Sequence, residues 1–440
     1  MNTLFEHAWI LTMDDAFAEH RDGWLLVSGD TIAALGSGAY TGDAPIDERI
    51  DCRGGILLPG FVNTHCHASM VPFRTMGDDC PDRLRRFLFP LENEAMTPEL
   101  VYLGAKYGIA EMLLAGVTTF LDMYYFEDEV ARACRETGMR GYLGETIIGQ
   151  TTCDSPDTPY GGFDIAEAMF ARYRGCDLVR PIVAPHGTTT LDADALRRCY
   201  EMALRHDALM TLHVSEMDYE MKHFADMGMT PMQFLDGIGA ADTHLLAAHC
   251  IHLTQEDVAL MQARGVRVAH CIGSNTKAGK GIAPAKALVQ SGVALGLGTD
   301  GPSSGNTLSL FDQMRLFAVC HKTENRDRSL FPARGIVAIA TRGGARALGA
   351  QGEFGCLAPG LRADVVLVGV GGPSMFPVYN PYSALVYGAN ASDVRLVMVS
   401  GSIRVRDGRL VGCSLESLRE ALAAQMGPFM AAASRYADII

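Results

Sequence analysis

Histidines that could bind a metal stand at the end of an apolar run near the start of this sequence. The stretch "NTHCHASM" follows the run "GGILLPGFV" and contains His65 and His67. Side chains two residues apart on a strand project from the same face, so both imidazoles can reach one cation. This spacing alone does not distinguish a metal site from a strand with polar residues on one side.

Six later apolar runs end in similar residues, and we interpret all of them as one site. A single histidine is more often structural, but imidazoles or carboxylates at nearly every run end favour a shared function. Along the chain, the residues at the run ends are His65 and His67, Glu145, His186, His213 and Glu216, His249, His270, and Asp300.

Four of these residues suit a divalent metal. Three imidazole nitrogens and one carboxylate match Zn²⁺ or Fe²⁺ and leave a position for water, whose pKa such a site lowers to about 7. A purely structural zinc needs a closed set of ligands, usually thiolates, and the cysteines are not spaced for that. The predicted ligands are His65, His67, His213 and Asp300.

Two further residues suit proton transfer beside the metal. Glu216 follows His213 by three residues and therefore lies just past the strand end, where a proton carrier is favoured over a fourth ligand. The alternative for Glu216 is a charge at a helix N-terminus. His249 is expected to polarise the water or the developing oxyanion.

The order of runs and helical stretches predicts an α/β fold, a (β/α)8 barrel whose site lies at the carboxyl ends of the strands. A doubly wound open sheet is the alternative, but no Gly-rich phosphate turn follows the first strand. Helical periodicity marks 98–115, 192–206, 255–264 and 285–291, several of them opened by Thr or Asp. The eight runs are "ILLPGFVNTHCH", "GVTTFLDMY", "MRGYLGETIIG", "VRPIVAPHG", "LMTLHVSE", "HLLAAHCIHL", "VRVAHCIGSN" and "VALGLGTD".

The two ends of the chain differ from the barrel region between them. Residues 1–56 and the segment beginning at 359 contain short strand patterns separated by Gly and Asp, which predicts that both ends pair into one small sheet domain. We therefore expect a barrel domain over 57–358. Helical periodicity from Leu415 predicts a C-terminal helix within 359–440.

Composition argues against several classes of function. The 440 residues carry a formal net charge of −14, from 51 Asp and Glu against 37 Lys and Arg, which opposes binding to nucleic acid. The acidic amino terminus lacks the features of a signal peptide. Prolines interrupt the longest uncharged run, so we expect no membrane span and a cytoplasmic location.

The 12 cysteines lack C-x-x-C spacing, and we expect them to be reduced. Cys66, Cys250 and Cys271 each follow a histidine in an apolar segment. Because strand side chains alternate, each is expected to point away from its histidine, and into packing if that histidine faces a site.

At these positions the chain resembles the amidohydrolase superfamily, in particular the branch that contains S-adenosylhomocysteine and 5′-methylthioadenosine deaminases and the triazine chlorohydrolases. The resemblance implies a (β/α)8 TIM barrel with a small β-sandwich built from both termini. It extends over nearly the whole chain through the motifs "LLPGFVNTHCH", "APH", "LHVSE", "AAHCIHL", "SNTKAGKGIAP", "LGTDGPSSGNTLSLF" and "GCLAPGLRADVVLV".

The resemblance also implies roles for the site residues. One divalent metal, Zn²⁺ or alternatively Fe²⁺, is bound by the four ligands named above. Asp300 accepts a proton from the attacking water and Glu216 protonates the ring nitrogen beside the amino-bearing carbon, with help from His249, before ammonia leaves.

Four positions are expected to bind substrate by the same resemblance. Glu92 matches a carboxylate that holds ribose hydroxyls, His186 a substrate-contacting histidine, and Ser304 a serine near the base. Where homocysteine-binding relatives carry an arginine for the substrate carboxylate, this chain has Glu145, and the loop 149–162 has no Arg or Lys. S-adenosylhomocysteine is therefore disfavoured as a substrate.

The sequence thus predicts a metal-dependent aminohydrolase that acts on an adenine nucleoside such as 5′-methylthioadenosine, 5′-deoxyadenosine or adenosine. The alternative is a free base, a pterin, a triazine or a guanidine-like compound. A non-catalytic scaffold is a third hypothesis, which the complete ligand set opposes. The expected partner is a small-molecule substrate, and the chain is expected to form a homo-oligomer, a dimer or a tetramer.

Overall fold

The computed structural model describes residues 1–438 and contains strands along most of the chain. The strands are β1 (Asn2–Leu11), β2 (Glu19–Ser28), β3 (Thr31–Ser37), β4 (Glu48–Asp51), β5 (Ile56–Pro59), β6 (Phe61–Cys66), β7 (Val117–Tyr124), β8 (Arg140–Ile147), β9 (Val179–Pro181), β10 (Ala184–Pro185), β11 (Met210–Val214), β12 (Leu245–His249), β13 (Arg267–His270), β14 (Leu295–Leu297), β15 (Val365–Val368), β16 (Val394–Val399), β17 (Ser402–Arg406) and β18 (Arg409–Leu410).

Helices alternate with the strands through the middle of the chain. They are α1 (Phe89–Ala95), α2 (Pro98–Leu114), α3 (Glu127–Thr137), α4 (Gly162–Arg172), α5 (Ala193–His206), α6 (Asp218–Asp226), α7 (Pro231–Gly237), α8 (Gln255–Arg264), α9 (Ile272–Lys277), α10 (Ala285–Gln290), α11 (Leu310–Glu324), α12 (Ala333–Ala338), α13 (Gly344–Ala347), α14 (Pro381–Ser383) and α15 (Leu415–Ala433). Short 3₁₀ segments cover Ala68–Phe73, Pro373–Met375, Ala391–Asp393 and Ser434–Tyr436, and π-helical turns cover Leu84–Leu88, Ile339–Gly343 and Ala384–Gly388.

Strands from both ends of the chain form one nine-stranded sheet. Its order is β18-β17-β16-β15-β5-β1-β2-β3, with β4 beside β1. The two ends meet at β5, which is antiparallel to β15 with Leu57 opposite Leu367 and parallel to β1. Both leucines belong to the buried core of this sheet. The predicted pairing of the two ends is therefore observed, whereas a sandwich arrangement stays a prediction.

The eight predicted runs supply a ring of strands. One sheet contains β6, β7, β8, β9 and β10, and a second contains β11 to β14. Parallel bridges from Val183 to Met210 and from Gly187 to His213 join the two sheets on one side. On the other side, the backbone N–H groups of Thr299 and Asp300 both donate to the His65 carbonyl at 3.1 Å. The ring closes, which confirms the predicted barrel.

Two details of the runs differ from the prediction. The first run, "ILLPGFVNTHCH", divides at Gly60 into β5 of the nine-stranded sheet and β6 of the barrel. The fourth run divides into β9 and β10, which together occupy one place in the ring.

The predicted helices agree closely with α2, α5, α8 and α10. Their starts are explained by capping, since Asp192 accepts a hydrogen bond from the Ala195 backbone N–H at 2.8 Å. Thr254 caps α8 in the same way through Asp257 at 3.1 Å. These caps place the strand-to-helix loops that carry the site.

Two compact units divide the chain. One contains Met1–Asn63, Ala110–Thr119 and Ser309–Ser414, and the other contains Thr64–Ile109, Phe120–Leu308 and the chain from Leu415. In the second unit, Phe429 of α15 packs edge-on against Phe73 with ring centroids 4.8 Å apart. Within 1–438, no helix combines the length and apolar character that a membrane crossing requires.

Candidate active site

Three of the predicted ligands converge at the carboxyl ends of β6 and β11. Ring nitrogens of His65, His67 and His213 lie within 4.8 Å of one another. The ring centroid of His65 lies 4.9 Å from that of His67 and 5.0 Å from that of His213. The tertiary structure thus brings together imidazoles that the sequence separates by about a third of the chain.

Hydrogen bonds orient two of these rings. Nδ1 of His67 donates to the Met123 carbonyl at 2.6 Å, and Nδ1 of His213 donates to the His186 carbonyl at 2.5 Å. A carbonyl can only accept, so each ring carries its proton on Nδ1 and is oriented by it. Histidines that bind metals are commonly held in this way.

His65 provides the test of whether a cation fits. It is completely buried, and neither of its ring nitrogens has a hydrogen-bond partner among the described residues. A buried polar atom without a partner costs free energy, which a bound cation would remove. The residues present therefore fit a divalent metal.

Asp300 supplies the carboxylate next to these imidazoles. Its Oδ1 lies 3.3 Å from Nε2 of His67 and accepts a hydrogen bond from the Gly301 N–H at 2.6 Å. Burial opposes its charge, but the hydrogen bond and charge of His67 outweigh burial and hold the pKa of Asp300 well below its usual range. A cation and a proton compete for the same position between Asp300 and His67.

The two proposed proton carriers face each other beside the ligands. Nδ1 of His249 donates to Asn275 Oδ1 at 2.7 Å, which leaves Nε2 without a described partner, 3.9 Å from Glu216 Oε1. The same Glu216 oxygen accepts from Nζ of Lys280 at 2.6 Å. Burial disfavours the carboxylate, but His249 and Lys280 outweigh it and lower the pKa of Glu216 to about 2.

A second glutamate holds the backbone around Glu216. Glu220 in the first turn of α6 accepts hydrogen bonds from the N–H groups of Ser215 at 2.9 Å and Glu216 at 2.8 Å. Its Oε1 also accepts from the Thr188 hydroxyl at 2.5 Å. Glu220 therefore positions the segment that carries the proposed proton carrier.

The ends of the strands adopt an unusual backbone conformation at the site. Ser215, His249 and Asp300 have φ values of 52°, 69° and 59°, in the left-handed region. Residues other than glycine hold this conformation at a cost of about 1–3 kcal/mol each, and such residues cluster at functional sites. This conformation redirects the side chains away from simple strand alternation.

A cavity of about 620 Å³ opens onto the site. His67, His213, Glu216, His249 and Asp300 contribute to its wall. Three of the four predicted substrate-binding residues also line it, namely Glu92, His186 and Ser304. Burial raises the pKa of Glu92 to about 7.

The structure does not bring Glu145 to this cavity. Its side chain is completely buried and Oε2 accepts from the Glu127 N–H at 2.9 Å, while the adjacent Thr146 lines the wall instead. Burial, followed by a hydrogen bond with Asp154, raises the pKa of Glu145 well above its usual range. The prediction that Glu145 replaces a substrate-binding arginine in the wall is not supported by this position.

The cysteines only partly follow the prediction. Cys66, Cys250 and Cys271 are all completely buried. Cys271, however, faces the other histidines of the site, because its Sγ lies within 4.8 Å of ring nitrogens of His65 and His249. Since β13 ends at His270, Cys271 begins a helix and strand alternation no longer applies to it. His270 is buried and does not line the cavity.

Three positioning residues were not assigned a role from the sequence. Asn275 and Lys280 both lie in the motif "SNTKAGKGIAP", so the resemblance contained a signal for them. Glu220 follows Glu216 by four residues, a spacing that also fits an ordinary exposed helix. Their roles depend on contacts with segments distant in the chain.

The barrel and its histidine-carboxylate set define a class of barrel hydrolase that uses a metal. Comparison with known proteins agrees, since the Amidohydrolase family matches residues 56–404. The chain belongs to this family.

Relatives are similar over nearly the full length. A 5-methylthioadenosine/S-adenosylhomocysteine deaminase of Syntrophobacter fumaroxidans is 37% identical over 425 residues, covering 95% of this chain and 96% of the relative. A 5′-deoxyadenosine deaminase of Methanothermobacter thermautotrophicus is 36% identical over 397 residues, covering 89% and 91%. The solved structure of an adenosine deaminase from Xanthomonas campestris with bound zinc has a TM-score of 0.93 at 29% identity, covering 98% of each chain. These comparisons confirm the predicted family and class of enzyme.

Proposed function

We propose that this protein is a zinc-dependent deaminase that replaces the 6-amino group of an adenine nucleoside by oxygen and releases ammonia. The observation that carries the proposal is one cavity that joins the metal-binding imidazoles to Glu216, His249 and Glu92. The names of the relatives, which include deaminases of four adenine nucleosides, support it. The first candidates for substrate are 5′-methylthioadenosine, 5′-deoxyadenosine and adenosine.

Zinc is proposed because three imidazoles and one carboxylate suit it and because a similar solved structure contains it. The proposed ligands are His65, His67, His213 and Asp300. When bound there, the metal supplies Lewis-acid chemistry that makes water a nucleophile at neutral pH.

The chain's own carboxylates move the protons. Glu216 and Asp300 begin ionised, because neighbouring cationic groups favour their charged forms. Each can therefore accept one proton of the attacking water. Glu216 passes its proton to the ring nitrogen beside the amino-bearing carbon, and Asp300 passes its proton to the departing amine. The two hydrogens of water thus end on the product ring and on ammonia.

The remaining site residues orient the substrate and polarise its reacting region. Nε2 of His249 faces the reacting region, since Asn275 holds its other nitrogen. Glu92 is assigned to the ribose hydroxyls, His186 to the substrate and Ser304 to the base. A carboxylate accepts hydrogen bonds from two adjacent hydroxyls well, which suits Glu92 to a ribose.

The test measures ammonia release from a panel of adenine nucleosides, free aminopurines, aminopyrimidines and aminotriazines. Wild-type protein loaded with zinc is expected to act on the nucleosides, and Glu216→Gln is expected to lose about 100-fold or more in kcat because its proton carrier is gone. The matched control is Glu256→Gln, an exposed carboxylate on α8. No release from any compound, with metal bound, would contradict the function.

Glu92→Gln separates the two substrate classes. For a nucleoside deaminase assayed at about pH 8, where Glu92 with its pKa of about 7 is mostly ionised, this variant is expected to raise KM for ribose-containing substrates by about 10-fold, because it loses a charged hydrogen-bond acceptor. An unchanged rate on a ribose-containing substrate would favour a free base, pterin, triazine or guanidine-like compound instead.

We also propose a catalytic domain over 57–358 and a β-sandwich from 1–56 and 359–440, the second of these segments ending in the C-terminal helix. We further propose a cytoplasmic homo-oligomer, a dimer or tetramer. Phe376 and Tyr379 support assembly, because they are 83% and 85% exposed on one short segment after β15. Sedimentation measures the state. A monomeric wild-type protein would contradict the proposed assembly. An oligomer that persists in the double variant Phe376→Ser with Tyr379→Ser would contradict the proposed contact.

A further inference from the structure

We propose that the cavity selects adenine nucleosides whose 5′ substituent is neutral or cationic, and discriminates against those with a carboxylate or phosphate there. This inference rests on the proposed function and names its substrate class more closely. It depends on the charged side chains of the cavity wall and on which of them already have partners.

Carboxylates outnumber cationic side chains in this wall. Only three Lys or Arg residues line it, namely Arg83, Lys277 and Lys280. Seven carboxylates line it, namely Asp78, Asp79, Asp82, Glu92, Glu216, Glu220 and Asp300. A bound divalent metal would leave the balance negative.

Each of the three cations is already engaged within the wall. Lys280 Nζ lies 2.6 Å from Glu216 Oε1, and Lys277 Nζ lies 2.7 Å from Asp78 Oδ1. Arg83 donates to the Ser303 carbonyl at 2.6 Å and lies 3.5 Å from the same Asp78 oxygen. An anionic substituent that approaches one of them therefore also meets a carboxylate, Glu216 beside Lys280 or Asp78 beside Lys277 and Arg83.

Asp78 is also held from a second direction. The amide of Asn306 donates to its Oδ2 at 2.7 Å, so both oxygens of Asp78 have partners. Displacing Asp78 would break these bonds as well as the ion pairs to Lys277 and Arg83. The cations of the wall are therefore poorly available to a substrate.

Two carboxylates of the wall have no such partner. Asp79 and Asp82 are exposed, and no side-chain hydrogen bond or ion pair involves either of them within 1–438. Both lie between the 3₁₀ segment ending at Phe73 and the π turn starting at Leu84. Their negative charge is available to attract a cation and to repel an anion.

The conclusion does not depend on the direction in which the 5′ substituent points. Every Lys and Arg that it could meet in the wall already has a carboxylate within 3.5 Å, which offsets part of the attraction for a carboxylate of the substrate. The discrimination predicted from Glu145 is thus retained through different residues, which do line the cavity.

Three 5′-thioether analogues of one length test this inference. They are 5′-(2-carboxyethylthio)-, 5′-(2-aminoethylthio)- and 5′-propylthio-5′-deoxyadenosine, measured for kcat/KM with zinc-loaded wild-type protein. The carboxylate is expected to react about 10- to 100-fold less efficiently than the neutral compound, and the amine at least as efficiently. Equal values for the carboxylate and the neutral compound would overturn the inference.

Variants of the two unpaired carboxylates test whether Asp79 and Asp82 cause the discrimination against the carboxylate analogue. Asp79→Asn with Asp82→Asn is expected to raise kcat/KM for the carboxylate analogue by about 3- to 10-fold and to change that of the neutral analogue by less than about twofold. Asp79→Lys is expected to raise kcat/KM for the carboxylate analogue further. The matched control is Asp43→Lys, which makes the same charge change at an exposed position outside the cavity. An equal gain in the control would show a general charge effect and contradict the assignment to the wall.

Salt supplies a readout that a steric explanation would not change. Raising ionic strength from about 0.05 M to about 0.5 M is expected to reduce the discrimination, since exposed charges are screened. Discrimination that is unaffected by both salt and the Asp79 and Asp82 variants would overturn the inference.

Failure of the proposed function gives a different result. If no adenine nucleoside is deaminated, the function fails, and calorimetric Kd values for the same three analogues then test the inference alone. Weaker binding of the carboxylate supports the inference, and equal binding overturns it.

Discussion

At the scale of single residues, the site depends on where each side chain directs its hydrogen-bonding atoms. His67 and His213 use Nδ1 to bind backbone carbonyls, and His65 leaves both nitrogens without a described partner. Glu216 and His249 face each other across 3.9 Å. These directions, more than the residue types, underlie the proposed binding of a cation by one set of atoms and the proposed transfer of protons by their neighbours.

The stretch "NTHCHASM" yields the first prediction. His67→Ala is expected to weaken zinc binding by about 100-fold or more, because it removes a ligand, whereas Cys66→Ala is expected to retain full metal content. Metal content by mass spectrometry and competition with a chelator measure both. Loss of metal in Cys66→Ala with retention in His67→Ala would reverse the assignment.

Lys280 yields a prediction on pH dependence. Lys280 favours the carboxylate form of Glu216, whose pKa is about 2. In Lys280→Ala that pKa is expected to rise by about 1–3 units, so Glu216 is protonated over a wider acidic range and cannot accept the proton of water there. The ratio of kcat/KM at about pH 5 to that at about pH 8 is therefore expected to fall by up to about twofold.

The control for Lys280 is Lys286→Ala, which removes an exposed lysine of α10 outside the cavity. Its activity ratio is expected to equal that of the wild type. A Lys280→Ala profile that matches the wild type would show that other groups, among them His249 and His213, hold Glu216 ionised without Lys280.

At the scale of elements, the loop from β11 to α6 is positioned by a residue of its own helix. Glu220 binds the N–H groups of Ser215 and Glu216 and the hydroxyl of Thr188. Glu220→Gln replaces one acceptor oxygen by a donor that faces backbone N–H groups. Its kcat is expected to fall by about 10- to 100-fold, because a misplaced catalytic group loses much of its effect, while metal content stays the same.

Glu256→Gln on α8 serves again as the matched control and is expected to leave kcat unchanged. Glu220→Asp is expected to show a similarly lowered kcat, since its shorter side chain does not reach both N–H groups. A wild-type kcat in Glu220→Gln would mean that the loop holds its shape without this carboxylate.

At the scale of the whole molecule, the last helix packs against a segment near the start of the barrel unit. Phe429 is completely buried and contacts Phe73, whereas the next residue, Met430, is 47% exposed. Phe429→Ala is expected to lower the free energy of unfolding in urea by about 3–5 kcal/mol, through lost burial and a cavity. Met430→Ala is expected to change it by less than about 0.5 kcal/mol. Equal small effects of both would show that α15 adds little stability.

Much of the fold could be predicted because its signals are local. Buried parallel strands give continuous apolar runs such as "LLAAH", and Asp192 and Thr254 mark helix starts through their own hydrogen bonds. The division of the first apolar run at Gly60 was harder to predict from the sequence. Both halves begin with apolar residues, and their pairing with β15 or with barrel strands places them in different sheets.

The sequence predicted which residues form the candidate site, but it did not predict the directions in which their side chains point. Cys271 turns toward His65 and His249 because β13 has already ended, and Glu145 lies outside the cavity wall although Thr146 lines it. Left-handed φ values at His249 and Asp300 depend on the packed barrel around them.

The sequence by itself thus determined the alternation of strands and helices, the chemistry of the ligands and the family of the protein, because apolar periodicity, capping and residue type are properties of short segments. Only the tertiary structure decided that Lys280 binds Glu216, that Asn275 holds His249 and that each cation of the cavity wall already has a partner. These pairings join segments that are distant in the chain, and side-chain direction in loops follows from long-range packing rather than from local pattern.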